Sequence, residues 1–202
     1  MVCGIDEAGR GPLAGPVCAA AVVLPGDFPR ELLGDSKKLS APARDRAMRA
    51  VYSSAAAWGI GWASAAEIDE INILRASLLA MRRAFEAMCR RFAGPLAGAA
   101  TGEPGAGVIP PRGLTVIVDG RHVPDIAVPC RALVRADSLV PEVMAASILA
   151  KTARDRMMDR YSWLYPEYGY DRHRGYPTKE HRDLVLRLGP SPIQRMSFRV
   201  RP

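Results

Sequence analysis

The stretch Gly4-Ile-Asp-Glu-Ala-Gly-Arg-Gly-Pro-Leu-Ala-Gly-Pro16 joins two apolar runs through a glycine-rich turn, with two adjacent carboxylates at the junction. Met1 to Ile5 reads as a short strand entering a core, with Asp6 and Glu7 emerging at its end. Pro16 to Leu24 is small and apolar and closes on Pro25-Gly26, so it reads as a buried strand returning beside the first. Two ionised carboxylates side by side repel each other, and a divalent cation is the usual means of holding them together. In the turn, Gly9-Arg10-Gly11 lets backbone N–H groups approach a substrate without side-chain obstruction. Taken alone, the Asp-Glu pair is equally well read as a solvated acidic turn after an edge strand. The rest of the chain decides.

Downstream, Asp35 to Ser40 is a polar basic loop, and Ser40 precedes a helix that begins at Ala41-Pro42 and runs through Arg44, Met48 and Val51. From Trp58 to Ala63, Trp58, Ile60 and Trp62 alternate with Gly59, Gly61 and Ala63, the pattern of a third strand. Ala65 to Phe92 carries Ile68, Ile71, Leu74, Leu78, Met81, Phe85 and Met88 at three- and four-residue spacing, which predicts a long helix with a core-facing stripe. Residues 94–113 are almost entirely Gly, Pro and Ala and read as a flexible insertion within one domain spanning 1–202. Leu114 to Val118 is a β-branched buried strand ended by Asp119-Gly120, and Ala132 to Val134 resembles another. A helix is predicted from Pro141 to Tyr161. Beyond it, from about residue 160 to 202, tyrosines are interleaved with basic residues, as suits a nucleic-acid surface.

The 202 residues are 49% hydrophobic and 24% charged, ordinary globular material, and the net charge of +7 favours a polyanionic partner. Cys3, Cys18, Cys89 and Cys130 are far apart, with no CxxC pair and no histidine at zinc spacing, which points to reduced thiols and against structural zinc. With no apolar run long enough to span a bilayer and no charged leader, a soluble cytoplasmic protein is expected.

Asp6-Glu7, Asp119 and Asp137 share one context, the end of a buried strand or the entry to a helix, and such ends converge on one edge of an α/β sheet. Four carboxylates there would nearly balance two divalent cations, a standard arrangement for phosphodiester hydrolysis. At these residues the chain resembles the type 2 ribonuclease H family, ribonuclease HII. The resemblance runs in order through Gly4–Pro16, Asp35-Ser-Lys-Lys-Leu-Ser40, Glu67-Ile-Asp-Glu-Ile-Asn-Ile73, Val118-Asp-Gly120, Ala136-Asp-Ser-Leu-Val-Pro-Glu142 with Ala145–Lys151, and Gly175-Tyr-Pro-Thr178.

That resemblance implies an α/β, ribonuclease H-like fold: a mixed five-stranded sheet flanked by helices, with a C-terminal helical part. It also implies endonucleolytic cleavage of the RNA strand of RNA–DNA hybrids and of single ribonucleotides embedded in duplex DNA, leaving 5′-phosphate and 3′-hydroxyl ends. Asp6, Glu7, Asp119 and Asp137 become the catalytic, metal-binding set for two Mn²⁺ or Mg²⁺ ions. Gly9, Arg10 and Gly11 become the backbone clamp on the ribose 2′-hydroxyl, Tyr176 the ring that stacks on the following deoxyribose, and Lys37 and Lys38 phosphate contacts. A monomer with no membrane partner is expected. Arg174 departs from the family, which often carries lysine there, and Gln194-Arg-Met-Ser-Phe198 matches only in part.

The sequence admits two other readings. Gly9-x-Gly11-x-x-x-Gly15 as a dinucleotide loop fails: Asp6-Glu7 would face the pyrophosphate, Pro12 and Pro16 obstruct the receiving helix, and a strand follows. A non-catalytic nucleic-acid binder needs the basic surface but not the four carboxylates. His122, His173 and His181 are expected as surface or capping residues, since the chemistry needs no imidazole.

Overall fold

The glycine turn joins a hairpin. β1 (Val2–Ala8) and β2 (Val17–Val23) pair antiparallel from Gly4↔Val22 to Ala8↔Cys18, and β2 pairs in the same sense with β3 (Ala57–Ala63). β4 (Thr115–Asp119) lies parallel to the other edge of β1, and β5 (Cys130–Leu133) parallel to β4. The computed structural model describes residues 1–34, 36, 39–92 and 109–200, and among these the sheet order is β3-β2-β1-β4-β5. Of the expected 94–113 insertion, residues 94–108 thus fall outside the described residues.

β1 is longer than its apolar run predicts. Pairing to β2 continues through Asp6, Glu7 and Ala8, because the hairpin ladder is closed only where the loop begins. The two carboxylates therefore sit inside the strand and not beyond it. On the β4 side the ladder ends at Ile5↔Val118, so the same register sets Asp6 beside Asp119.

Among the described residues, α1 (Ala41–Ser54), α2 (Ala65–Phe92) and α3 (Pro141–Leu164) flank the sheet, while α4 (Tyr170–His173) and α5 (Lys179–Leu188) lie in the C-terminal part. α1 starts where Ser40 accepts the Ala43 N–H at 3.4 Å, with proline in its first turn. α2 starts on a reciprocal cap: Ser64 Oγ accepts the Glu67 N–H and Glu67 accepts the Ser64 N–H at 2.8 Å. The predicted single helix over 65–92 is broken at Asn72 (φ 67°, ψ 163°), whose Oδ1 accepts the N–H groups of Leu74 and Arg75 and so recaps the chain.

α2 covers one face of the sheet and α3, backed by α1, the other. Cys3, Ile5, Val17, Ala19 and Ala21 join the α2-side core, while Cys18, Ala20 and Val22 join the α3-side core with Met48, Val51, Ile148 and Leu149. In β3 the fully buried residues are the small ones, Ala57, Gly59, Gly61 and Ala63. α2 lies so close that a Cβ at Gly61 would come within 2.2 Å of the Ala80 carbonyl oxygen. The tryptophans occupy the opposite, half-buried face, and Tyr52 packs 4.5 Å from Trp58.

The C-terminal helical part packs on α3 and the 9–16 loop through Ala14, Met158, Tyr168, Tyr170 and Ile193. His173 and His181 are buried here and not at the surface, with rings stacked at 4.3 Å beside Tyr170. Each fixes a backbone group: His173 Nε2 bonds the Tyr168 carbonyl and its Nδ1 accepts the Gly175 N–H, while His181 Nδ1 bonds the Tyr176 carbonyl. His122 is exposed.

Candidate metal centre and nucleic-acid groove

Strand alternation turns Asp6 toward α3, the side opposite Cys3 and Ile5. There its carboxyl is 5% exposed and hydrogen-bonded by Ser147 of α3 and by the Glu7 N–H at 2.7 Å. Asp119 ends β4 in the neighbouring register. Asp137 lies in a short 3-10 turn before α3, and its N–H donates to Asp119 Oδ1 at 3.4 Å. Carboxylate oxygens of Asp6, Asp119 and Asp137 all fall within 4.8 Å of one another. The fourth predicted carboxylate, Glu7, stands outside that set, with Oε1 3.2 Å from Arg10 Nη1.

Burial, then the negative charges of Glu7 and Asp119, push the Asp6 carboxyl well above the ordinary carboxylate range, against the pull of the Ser147 hydrogen bond. Burial raises Glu7 as well, opposed by the Arg10 guanidinium. Clustered hard oxygens at this cost fit a divalent cation, whose charge would reverse the electrostatic penalty. Magnesium and manganese both suit the donor set.

Beside the acids runs a groove of about 450 Å³, lined by Glu7, Gly9, Arg10, Gly11, Arg44, Ser147, Lys151 and Tyr176 among others. It thus brings together Glu7, the Gly9-Arg10-Gly11 turn and Tyr176, all predicted from sequence. Tyr176 is 40% exposed, with its Cε1 3.8 Å from the place a Gly11 Cβ would occupy. Lys37 and Lys38 lie outside the described residues.

Gly9 has φ +101° and leaves no room for a side chain, since its Cβ would fall 2.1 Å from Arg154 Nε. Arg154 is one of two buried arginines that bind this loop and that sequence reasoning missed. It donates to the carbonyls of Pro16, Arg174 and Ala14 at 3.0 to 3.1 Å, and its guanidinium carbon is 5.9 Å from the Tyr176 ring centre. Arg195 donates to the carbonyls of Gly9 (2.6 Å), Gly15 (2.8 Å), Pro12 (2.8 Å) and Arg10 (3.1 Å). Among the described residues neither guanidinium has a carboxylate within ion-pair distance. A signal for Arg154 was present, because it falls on the stripe Ser147, Ala150, Arg154, Met158, otherwise small or apolar. Arg195 lay in the segment that matched the family only in part.

No described helix is long and apolar enough to cross a membrane. The chain is 53% identical to ribonuclease HII of Treponema denticola, over all of this chain and 99% of that protein. Its fold matches the crystal structure of ribonuclease H2 from Pyrococcus horikoshii with a TM-score of 0.72 at 24% identity, covering 98% of this chain and 94% of that one. A Bst-RNase HIII solved in complex with Mn²⁺ is similar over 98% of this chain and 66% of its own, with a TM-score of 0.62 at 17% identity. The expected ribonuclease H-like sheet is therefore the fold observed. The model of the family Ribonuclease HII matches residues 3–201, and with that agreement of sequence, fold and acidic site the chain belongs to the ribonuclease HII family, the metal-dependent endoribonucleases of ribonuclease H type.

Proposed function

We propose that the protein cleaves the RNA strand of RNA–DNA hybrids and the backbone at single ribonucleotides within duplex DNA, with two divalent ions held by Asp6, Glu7, Asp119 and Asp137. The observation that carries this reading is the meeting of three carboxylates within 4.8 Å beside a groove lined by bare backbone and Tyr176. Bound there, Mn²⁺ or Mg²⁺ supplies activation of water and neutralisation of charge on the departing oxygen.

The protein's own groups do the rest. Asp6, the most buried of the four and braced by Ser147, would hold a cation together with Asp119 and Asp137. Glu7, paired with Arg10 on the groove, would be the fourth carboxylate to hold a cation. Amides of the Gly9–Gly11 turn recognise the 2′-hydroxyl, the one group that separates RNA from DNA at a given site. The Tyr176 ring stacks on the next sugar and sets the scissile phosphate over the acids, while Arg44 and Lys151, both on the groove, and Lys37 and Lys38 meet phosphates. Water adds at phosphorus as the 3′ oxygen leaves, giving 5′-phosphate and 3′-hydroxyl ends.

The test is a nuclease assay on duplex DNA with one embedded ribonucleotide, with and without Mn²⁺ or Mg²⁺. Metal-dependent cutting confined to the ribonucleotide is expected. Binding without metal-dependent cutting would instead identify a non-catalytic nucleic-acid-binding protein.

A further inference from the structure

The buried Arg195 guanidinium binds the inner side of the loop whose outer side forms the groove. Its four acceptors are the carbonyls of Gly9, Arg10, Pro12 and Gly15. In a trans peptide unit the carbonyl and the next residue's N–H point in opposite directions, and this chain has no cis bond among its described residues. Each carbonyl drawn inward by Arg195 therefore turns one N–H outward. The N–H paired with the Pro12 carbonyl belongs to Leu13, and it does point away, donating to the Gly175 carbonyl at 2.7 Å. The Gly15 carbonyl is followed by Pro16, which has no N–H. Two N–H groups remain, those of Arg10 and Gly11. Both residues line the groove, and neither amide makes a backbone hydrogen bond among the described residues.

We infer that Arg195 is the positioning residue of the 2′-hydroxyl clamp: by holding the Gly9 and Arg10 carbonyls inward, it presents the Arg10 and Gly11 amides as a pair of donors to the groove. This rests on the proposed function and assigns the device behind its specificity. The planar fork matters, since a guanidinium can hold several carbonyls at fixed angles whereas an ammonium is a point donor. Its charge also polarises the peptide units it binds, which strengthens the N–H on their far side. Burial and the like charge of Arg154 pull the Arg195 guanidinium down to about 9, so it stays ionised at neutral pH. The Arg195 N–H donates to the Leu13 carbonyl, and Asp69 holds the N–H groups of Met196 and Ser197, so both loop and guanidinium are anchored through the backbone.

Arg195→Lys tests this, with affinity measured in EDTA, where nothing is cut, for a duplex with one ribonucleotide and for its all-deoxy counterpart. The wild-type protein should prefer the ribonucleotide duplex. The variant should lose that preference by about tenfold or more while binding the all-deoxy duplex as before, because only the hydrogen bonds to the hydroxyl are misplaced. An unchanged preference, or an equal loss on both duplexes, would overturn the role. If the wild-type protein shows no preference, the reading of the site fails and takes the inference with it. Should the variant not fold, hydrogen exchange on the wild-type protein decides: the Arg10 and Gly11 amides should exchange fast when free and slowly on the ribonucleotide duplex alone. Protection in the free protein would show that they do not face the groove.

Discussion

Ser147 Oγ stands 2.8 Å from Ser36 Oγ in the interior, and the Ser147 side chain also hydrogen-bonds Asp6. The loop before α1 is thereby linked through α3 to the most buried carboxylate of the site. Ser147→Ala removes a hydrogen bond that favours the ionised Asp6, so its carboxyl titrates still higher and a proton competes better with the cation. We expect metal affinity to fall by about tenfold and the pH midpoint of metal binding to move upward. Calorimetric Mn²⁺ titrations at several pH values measure both, and an unchanged midpoint would detach Ser147 from the site.

Asp6→Asn should abolish cleavage and leave hybrid binding in place. In metal-free protein burial and the neighbouring Glu7 and Asp119 disfavour a charge on Asp6, so the amide should leave the melting temperature unchanged or raise it, by roughly 2–4 °C for each 1 kcal/mol relieved. Added Mn²⁺ should stabilise the wild-type protein and not the variant. Near-normal cleavage by folded Asp6→Asn would remove Asp6 from the chemistry.

Gly61→Ala should destabilise the fold by at least about 1–3 kcal/mol, because the added methyl meets the α2 backbone and no side chain can yield. Chemical denaturation measures this directly. A neutral substitution would mean that α2 can shift away from β3.

The elements themselves were largely legible. Apolar period and turn residues placed the strands and long helices within a few positions, and of the four carboxylates read at element ends, Asp6, Asp119 and Asp137 lie together while Glu7 stands outside that set. Local pattern did not show which face of β3 packs more closely. Trp58, Ile60 and Trp62 are the more hydrophobic set, yet Gly59 and Gly61 are the buried ones, because helix proximity is set by what is absent from a face. Nor did it show that α2 breaks at Asn72, where the apolar spacing runs on undisturbed and only the recapping amide marks the change. Arg154 and Arg195 were missed for a related reason: a buried charge satisfied by carbonyls leaves no partner to find in sequence. The stacked histidines were missed because polar residues in a short polar tail give no periodicity.

Burial pulls both His173 and His181 below the usual histidine range. Each therefore takes up a proton less readily in the fold than in the unfolded chain, so stability is full above about pH 6.5 and declines as pH falls through that value. The slope should reach at most about 1.4 kcal/mol per pH unit for each histidine. His181→Asn keeps an amide donor near the Tyr176 carbonyl and removes the titration, so its melting temperature should depend less on acid below pH 6.5 than that of the wild-type protein. Equal acid sensitivity would place the titrating groups elsewhere.

Tyr176 joins the histidine-anchored turn to the groove. Its N–H donates to the His173 carbonyl, its own carbonyl is held by His181, and its ring lies over Arg154 and beside Gly11. The backbone is thus fixed from two sides while the ring stays 40% exposed, the arrangement needed to present a rigid face to a sugar. Tyr176→Ala should depress cleavage at a single embedded ribonucleotide by about 10–100-fold, equivalent to roughly 1–3 kcal/mol of stacking and orientation. Tyr176→Phe should retain most activity, since stacking needs the ring and not the hydroxyl. Calorimetric Mn²⁺ binding should be unchanged in both, because the ring is no part of the acidic cluster. Equal damage from Phe and Ala would transfer the role to the phenolic hydroxyl, and no damage from either would take Tyr176 out of the substrate site.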